Sequence, residues 1–430
     1  MSTIRVEPGS PLRGRLSLPG DKSIAHRAAI FAAMAAGESR LSNVPTGEDW
    51  QATVRCLRAL GVEIQIDGET AMVRSDGPDA WREPTGDLDC GASGTTMRLM
   101  AGVLAGRPFF GRLTGAPGLL RRPMARVAEP LRAMGADVRL SPSRTGPIEI
   151  HGGALRPIDW NTPVSSAQVK SAILFAAASA SGETRVTEPS VSRDHTERIM
   201  AHLGAAMSHE GTTVRLRGPW SPPPFALVIP GDFSGAAFLW GAAAITPGSA
   251  ITVEEVVLNP TRTGFLTVLR NMGADIHVEA RSDSSGEPVG DVTVTYCGRL
   301  HGTEISGSLT LLSLDEIPLL AVLAAFAEGD SVIRDAAELR VKESDRLRSV
   351  ADGLAALGVS VEVSDDGLKV HGGEVRGGRI KAKDDHRIAM AFAIAGCAAS
   401  GPVAIDGAEE VNKSFPEFFV TMKHLGAETI

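Results

Sequence analysis

The sequence predicts an α/β fold of two domains, each built from three copies of one repeat unit. A polar opening followed by an Ala-rich apolar run occurs six times, and a second helix in each unit ends in Leu-Gly or Met-Gly. The period is roughly 70 residues, too long for a solenoid repeat, so each unit should be a small α/β subdomain. The openings are Asp21-Lys22-Ser23, Ser93-Gly94-Thr95, Ser165-Ser166-Ala167, Asp232-Phe233-Ser234, Asp315-Glu316-Ile317 and Asp385-His386-Arg387. The closing glycines are Gly61, Gly135, Gly204, Gly273, Gly358 and Gly426.

The first unit shows how each element is predicted. Its apolar run predicts a buried helix with Asp21 near the N-cap and Gly37 at the C-terminal end. The stretch SRLSNV predicts a strand, and residues 49–60 have apolar side chains at helical spacing up to Gly61. Two alternating segments then flank 67–68 (Asp-Gly), which is typical of a hairpin.

Two hinge signals predict that one domain is inserted into the other. The Pro-rich stretch 217–231 is the best interior linker, and Pro19-Gly20 is a turn or hinge signal near the N-terminus. We therefore expect a discontinuous domain of residues 1–19 and 230–430, and an inserted domain of residues 20–229, each with three units.

Composition excludes several classes of protein. The net charge of −8 argues against a general nucleic-acid surface, which needs a basic stripe, although a locally positive cleft could still bind a small anion. The four cysteines are far apart and form no C-x-x-C pair, so neither a disulfide framework nor a zinc site is expected, and a reducing compartment fits. The N-terminal segment lacks the apolar core of a signal peptide, and no apolar run reaches membrane-spanning length. We expect a cytoplasmic protein.

Charged side chains at helix starts indicate an anion site. Helix N-termini carry unpaired N–H groups and about half a positive charge, so several that converge would bind anions. The cationic segments are RVKESDRLR (340–348), His386-Arg387 before a strongly apolar helix, Lys22, Ser23 and Arg27 on another helix, and Arg121-Arg122 in a Pro-containing loop. Each has a plain alternative: an ion-paired solvated helix face, a simple N-cap, or an exposed basic loop. The histidines are widely separated, so no metal site is predicted.

Nine segments together resemble one enzyme family, the 5-enolpyruvylshikimate-3-phosphate synthases, in its bacterial class II branch. In order, they are LPGDKSIAHRAAI, GASGTTMRL, RRPM, SSAQVKSAILFA, SRDHTERIM, DEIPLLAVLAAFAEG, LRVKESDRL, DHRIAMAFAIAG and NKSFPEFF. The resemblance implies two domains, each of three βαβαββ units around buried parallel helices, an arrangement like an inverse α/β barrel. It also implies transfer of the enolpyruvyl group of phosphoenolpyruvate to the 5-hydroxyl of shikimate 3-phosphate, in a cleft between the domains, with phosphate released.

The resemblance also implies roles for individual residues. Those that resemble shikimate-3-phosphate ligands are Lys22, Ser23, Arg27, Ser166, Ala167, Gln168, Arg193, Asp315 and Lys342. Those that resemble phosphoenolpyruvate ligands are Lys22, Gly94, Arg122, Gln168, Arg346, Arg387 and Lys413. The implied catalytic groups are Lys22, Asp315 and Glu343. Arginine forks suit these substrates, because both carry phosphate and carboxylate groups.

Further expectations follow from the same resemblance. The implied reaction is addition–elimination through a tetrahedral intermediate, with no metal and no organic cofactor. The implied partners are the two small anions, without nucleic acid or membrane, and the protein is expected to be a monomer. The family is the target of glyphosate, an anionic mimic of phosphoenolpyruvate. One position departs from the family pattern, since Ala92 stands where Asn is usual.

Three other functions remain as alternatives. A UDP-N-acetylglucosamine enolpyruvyl transferase has a similar architecture, but typically has a loop Cys that LLRRPM lacks and begins Lys-Asn rather than Lys-Ser. An RNA 3′-phosphate cyclase-like enzyme would need a nucleotide site and a catalytic His. A non-catalytic scaffold for an anionic partner would not require Lys22, Asp315, Glu343 and Arg387 together.

Overall fold

The structure is a computed structural model that describes residues 2–430. Within those residues the strands form six sheets of four strands each. Every sheet has the same pairing pattern: the first two strands in spatial order are parallel, and the third and fourth are antiparallel to their neighbours. The α/β fold class predicted from the six repeats is therefore confirmed.

The chain divides into two compact units. The discontinuous unit comprises Met1–Leu18, Gly231–Ser282 and Pro288–Ile430, and the inserted unit comprises Pro19–Pro230 and Asp283–Glu287. The last segment differs from the sequence-based division, which assigned 283–287 to the discontinuous domain. The reason is local: the hydroxyl groups of Ser284 and Ser285 both donate to the carbonyl oxygen of Val228.

The inserted unit contains repeats one to three. In spatial order its sheets are Ala226–Val228, Ala36–Ser42, Thr70–Asp76, Glu63–Asp67; then Leu88–Asp89, Phe110–Thr114, Ile148–His151, Asp137–Leu140; then Asp159–Asn161, Gly182–Thr187, Thr213–Gly218, Met207–Glu210. Its helices are Lys22–Met34, Glu48–Ala59, Gly94–Ala105, Pro117–Leu120, Ala125–Met134, Ala167–Ala177 and His195–His202, with a 3-10 turn at Pro78–Ala80.

The discontinuous unit contains repeats four to six. In spatial order its sheets are Arg13–Ser17, Ala250–Val257, Val289–Thr295, Asp275–Ala280; then Glu304–Ile305, Asp330–Ile333, Leu368–His371, Val361–Val363; then Gly378–Lys381, Val403–Asp406, Thr3–Glu7, Glu428–Thr429. Its helices are Phe233–Ile245, Gly264–Asn271, Ser308–Leu312, Ile317–Ala325, Arg346–Ala356, His386–Ala398 and Phe418–His424, with 3-10 turns at Leu314–Glu316, Ala337–Val341 and Ala408–Lys413.

Three repeats are completed by strands from outside their own stretch of chain. Repeats two and three run strand, helix, strand, helix, strand, strand without interruption, apart from the short helix Pro117–Leu120 in repeat two. The first repeat instead takes its parallel edge strand from Ala226–Val228, and the fourth takes its parallel edge strand from Arg13–Ser17. The sixth takes a central strand from Thr3–Glu7. The repeat pattern is therefore retained although the chain enters and leaves each unit in mid-repeat.

The first helix of each repeat is buried and packs against its counterparts in the same unit through small side chains. Every residue of Phe233–Ile245 is buried. A Cβ placed on Gly102 would lie 2.1 Å from the carbonyl oxygen of Ala172, so two helices meet there at a distance that only glycine allows. Low aromatic content and abundant Ala and Gly thus correspond to close helix packing.

The predicted boundary residues act largely as expected. The side chains of Asp21, Ser93, Asp232 and Asp385 accept backbone N–H groups at the starts of their helices. All six predicted closing glycines have positive φ, which glycine adopts without strain. Gly37 was wrongly predicted to end the first helix. That helix ends at Met34, and Gly37 instead pairs with Ser75 in the adjoining strand.

Candidate active site

In the inserted unit, three predicted ligands lie on the first turns of Lys22–Met34. The Lys22 ammonium lies 2.9 Å from the Asp49 carboxylate. The buried Arg27 guanidinium donates to the Ser23 carbonyl oxygen at 2.8 Å and to the Thr196 hydroxyl at 2.6 Å. Burial lowers the pKa of Arg27 to about 10, although carboxylates near it, Glu197 foremost, raise it. Arg27 is therefore a rigidly held cation at this helix start.

The start of Gly94–Ala105 brings together a second group of predicted ligands. Arg98 donates to the Gln168 side-chain oxygen at 2.5 Å, and the Gln168 amide donates to Thr95 at 2.9 Å. A Cβ on Gly94 would lie 2.9 Å from Nη1 of Arg122 and 2.8 Å from Nη1 of Arg98. Gly94, Arg122 and Gln168 therefore lie close together around the start of this helix.

The start of Ala167–Ala177 differs from most other buried helix starts. Its N-cap, Ser166, makes no side-chain capping bond, whereas four of the buried helices have one. The backbone N–H of Ser166 instead donates to the buried carboxylate of Glu188 at 2.7 Å. The Ser166 side chain therefore does not cap the first-turn N–H groups of this helix, where the predicted ligands Ala167 and Gln168 lie.

Glu188 also fixes the loop that precedes Arg193. Its other oxygen accepts from the Ser192 hydroxyl at 2.7 Å and lies 2.8 Å from the Lys170 ammonium. Burial opposes the charge of Lys170, but Glu197 and Glu188 outweigh it and raise the pKa of Lys170 above its usual value. Arg193 lies near enough to Arg27 for its charge to lower the pKa of Arg27. The loops that carry Ser166 and Arg193 are thus held by one buried ion-pair cluster.

In the discontinuous unit, a second charged cluster surrounds Asp315. Its carboxylate lies 3.4 Å from Nη1 of Arg346 and 3.7 Å from Nη2 of Arg387, and its backbone oxygen accepts from Arg387 at 2.9 Å. Arg346 also lies 2.6 Å from the Glu343 carboxylate and 2.8 Å from that of Asp385. Arg346 is 2% exposed, and these carboxylates outweigh its burial to raise its pKa. Four predicted site residues are therefore joined by a chain of contacts, from Glu343 through Arg346 and Asp315 to Arg387.

The two predicted lysines lie beside this cluster. Lys413 donates to the Asp384 carbonyl oxygen at 2.7 Å and also pairs with Glu410, which places it close to the start of His386–Ala398. Burial lowers the pKa of Lys342 below its ordinary 10.5, while Asp315, the first of its carboxylate neighbours, raises it. Among the described residues of this unit, all the predicted ligands thus occur near the ends of neighbouring elements.

Several residues that shape these clusters were not predicted. Their partners are distant in sequence, so periodicity gave no signal for them. They are Asp49, Lys170, Glu188, Ser234, Arg262, Glu316 and Asp385. One sequence feature could have pointed to two of them, namely a charged residue at the start of an apolar helix. Asp385 and Glu316 have this feature, and each is 0% exposed.

Residues 2–430 contain no group of three or more His, Cys, Asp or Glu side chains arranged to hold a metal ion. In the same part of the chain, no helix combines the length and apolar character needed to cross a membrane.

Comparison with known proteins identifies the family. The model of EPSP synthase (3-phosphoshikimate 1-carboxyvinyltransferase) matches residues 6–422. The chain belongs to the EPSP synthase family. It is 47% identical to the 3-phosphoshikimate 1-carboxyvinyltransferase of Desulforamulus reducens, over 98% of this chain and 99% of the relative. The enzyme of that name from Thermus thermophilus is also 47% identical, over 99% of this chain and 100% of the relative.

Solved structures agree with this membership. EPSP synthase from Acinetobacter baumannii superposes with a TM-score of 0.88 at 39% identity, over 100% of both chains. The enolpyruvyl transferase NikO from Streptomyces tendae superposes with a TM-score of 0.79 at 21% identity, over 100% of this chain and 98% of that one. The second likeness concerns the fold alone. The family resemblance drawn from the nine segments is confirmed, and it is favoured over the UDP-N-acetylglucosamine alternative.

Proposed function

We propose that this protein transfers the enolpyruvyl group of phosphoenolpyruvate to the 5-hydroxyl of shikimate 3-phosphate and releases phosphate. The observation that carries the proposal is the contact cluster of Asp315, Glu343, Arg346 and Arg387 in one unit. A carboxylate base among arginine forks suits proton transfer next to an anionic donor. A scaffold that only binds an anion has no need of that carboxylate.

In the proposed mechanism, Asp315 accepts the proton of the 5-hydroxyl while that oxygen attacks C2 of phosphoenolpyruvate. Lys22 or Glu343 donates a proton to C3, which completes a tetrahedral adduct. The same group then takes a proton back from C3 while the bond between C2 and the phosphate oxygen breaks, so phosphate leaves with the bonding electrons and the enol ether remains. Arg122, Arg346, Arg387 and Lys413 bind the donor and stabilise the departing charge.

The acceptor is assigned to a different set of residues. We propose that Ser23, Arg27, Ser166, Ala167, Gln168, Arg193 and Lys342 bind shikimate 3-phosphate. The start of Ala167–Ala177 supports this assignment, because its N-cap Ser166 makes no side-chain capping bond and the N–H groups of a helix start suit a phosphate. Asp315 would contact the acceptor as well, and Lys22 and Gln168 would contact both reactants.

A phosphate-release assay tests the function. Purified protein is mixed with phosphoenolpyruvate and shikimate 3-phosphate, and release of inorganic phosphate is followed. The matched control replaces shikimate 3-phosphate with UDP-N-acetylglucosamine. Release with the first acceptor alone supports the proposal, release with the second alone would favour the other enolpyruvyl transferase, and release with neither would leave the proposal without support.

We further propose that the substrates bind in a cleft between the two units and bring the units together. The proposed ligands are divided between the units, and an anion held by both would favour closure. We expect shikimate 3-phosphate plus an unreactive phosphoenolpyruvate mimic to reduce the radius of gyration measured by solution scattering. An unchanged scattering curve at saturating ligand would contradict this prediction.

The lowered pKa of Lys342 predicts a pH effect on acceptor binding. Lys342 loses its proton, and with it the charge that attracts phosphate, at a lower pH than an ordinary lysine. The affinity for shikimate 3-phosphate should therefore weaken as the pH rises through that lowered pKa. In Lys342→Arg the guanidinium stays charged, so the loss of affinity for shikimate 3-phosphate at alkaline pH should shrink or disappear. Calorimetric titration of both proteins across alkaline pH checks this, and identical pH curves would contradict it.

We propose finally that the protein acts in the cytoplasm as a monomer, with these two anions as its partners and without nucleic acid or membrane. The net charge of −8 supports the absence of a nucleic-acid partner.

A further inference from the structure

A buried serine connects two arginines and a carboxylate beside Asp315. The Ser234 hydroxyl donates to Oε1 of Glu316 at 2.6 Å. It accepts from Nη2 of Arg262 at 2.6 Å and from Nη2 of Arg387 at 3.2 Å. Ser234, Arg262, Glu316 and Arg387 are called the Ser234 cluster below. All four residues are buried, and Glu316 is 0% exposed.

The Glu316 carboxylate requires cations because it is removed from water. An unpaired buried charge is costly, and removal of one partner from a buried ion pair is strongly destabilising. Two guanidinium groups contact this carboxylate: Nη1 of Arg387 lies 3.4 Å from Oε1, and Nη2 of Arg262 lies 3.8 Å from the same oxygen. Arg262 therefore shares the neutralisation of Glu316 with Arg387.

These two arginines differ in what else they can bind. Arg387 is proposed to bind phosphoenolpyruvate, so an incoming anion competes with Glu316 for its N–H groups. Arg262 has no assigned ligand, is 2% exposed, and has its guanidinium carbon 5.7 Å from the centre of the Phe233 ring. Its position is thus set by the protein interior, whereas Arg387 has one side near the proposed donor site.

We propose that Arg262 is a positioning residue for donor binding. It neutralises Glu316, so that the Arg387 guanidinium can bind phosphoenolpyruvate instead of pairing with Glu316. This inference rests on the proposed function, because it assumes the role of Arg387 in donor binding. Without Arg262, Glu316 would draw Arg387 into a closer ion pair and away from the substrate. Arg262 also lies 3.8 Å from the Asp315 carboxylate, which links the cluster to the proposed base.

The experiment is a double-mutant cycle with steady-state kinetics. Arg262→Met removes the cation while it retains much of the side-chain volume, and Glu316→Gln removes the carboxylate charge. We expect Arg262→Met to raise KM for phosphoenolpyruvate by about tenfold or more, with a much smaller change in KM for shikimate 3-phosphate. In Arg262→Met/Glu316→Gln the neutral amide no longer attracts Arg387, so KM for phosphoenolpyruvate should return most of the way to the wild-type value.

This rescue separates positioning from packing. If Arg262 only fills space, the double variant should bind the donor no better than Arg262→Met, and that result would overturn the proposal. Unchanged KM for phosphoenolpyruvate in Arg262→Met would overturn it as well. If Arg262→Met does not fold, as judged by circular dichroism, the same comparison is made with Arg262→Gln, which also removes the positive charge, alone and combined with Glu316→Gln.

Arg107→Met is the matched control. Arg107 is also a buried arginine, 2.9 Å from the Asp79 carboxylate and 2.8 Å from the Ser179 hydroxyl, but it follows the opposite end of Gly94–Ala105 from Gly94. We expect it to lose stability without a change in KM for phosphoenolpyruvate, and an equal rise in KM would overturn the proposal. The wild type separates two failures: no phosphate release counts against the proposed function, whereas an active wild type with an unaltered Arg262→Met counts only against Arg262.

Discussion

Asp315→Asn is expected to lower turnover by about two orders of magnitude or more, because an amide cannot accept the proton of the attacking hydroxyl. The fold should survive the change. The arginines beside Asp315 keep other carboxylate partners, since Arg346 also contacts Glu343 and Asp385, and Arg387 contacts Glu316. Turnover is measured by phosphate release, and shikimate-3-phosphate binding is measured separately by titration.

Asp352→Asn provides the control for this prediction. Asp352 is also an ion-paired carboxylate of the discontinuous unit, 2.6 Å from Lys383 and 2.9 Å from Arg348, but it belongs to neither charged cluster. Its replacement should leave turnover unchanged. Near-normal turnover in Asp315→Asn would remove Asp315 from the mechanism, and loss of acceptor binding in that variant would instead assign Asp315 a role in binding.

The fold could be predicted because its signals are local and repeated. A capping side chain such as Asp21 and a closing glycine such as Gly61 each act within a few residues of their own position, and the pattern recurs six times. Gly37 shows where local signals fail, since its strand pairing with Ser75 depends on a partner 38 residues away. The loop 283–287 is a similar case, because its partner Val228 is distant in sequence.

The candidate site was predictable only in part. Its lysines and arginines lie in segments that resemble the family, but the residues that orient them do not reveal themselves in sequence. The Ser234 cluster joins positions 82 and 153 residues apart. Glu188 accepts hydrogen bonds from a backbone N–H group and a serine hydroxyl, which are too common in any sequence to mark their partner. Tertiary packing alone brings such groups together, so sequence patterns point to the proposed ligands but not to the residues that hold them in place.

Glyphosate inhibition is the second large effect that we expect. Glyphosate is an anionic mimic of phosphoenolpyruvate but slightly longer, so the space beside Gly94 should decide whether it fits. Gly94 presents no side chain, and Arg122, Arg346, Arg387 and Lys413 are the residues proposed to bind the phosphonate and carboxylate. We therefore expect the wild type to be inhibited competitively with phosphoenolpyruvate, although its segments resemble class II.

Gly94→Ala should weaken glyphosate inhibition by at least about tenfold, because a built-in clash penalises the longer ligand more than the shorter one. The added methyl would also lie within 3 Å of the guanidinium groups of Arg98 and Arg122, so it should displace a proposed donor ligand. KM for phosphoenolpyruvate should therefore rise too, but by a smaller factor. An equal rise in the inhibition constant of glyphosate and in KM for phosphoenolpyruvate would indicate that the movement of Arg122, rather than the lost space beside residue 94, causes the effect.

Gly86→Ala is the control, because a Cβ on Gly86 would have no atom within 4 Å. It should leave both glyphosate inhibition and KM for phosphoenolpyruvate unchanged. Inhibition is measured at several phosphoenolpyruvate concentrations for the three proteins. Ala92 lies in the same loop, where the family usually has Asn, and could reshape the space beside Gly94. A wild type that is already insensitive, or a Gly94→Ala variant that is no more resistant, would contradict the assignment of Gly94 to the wall of the donor site.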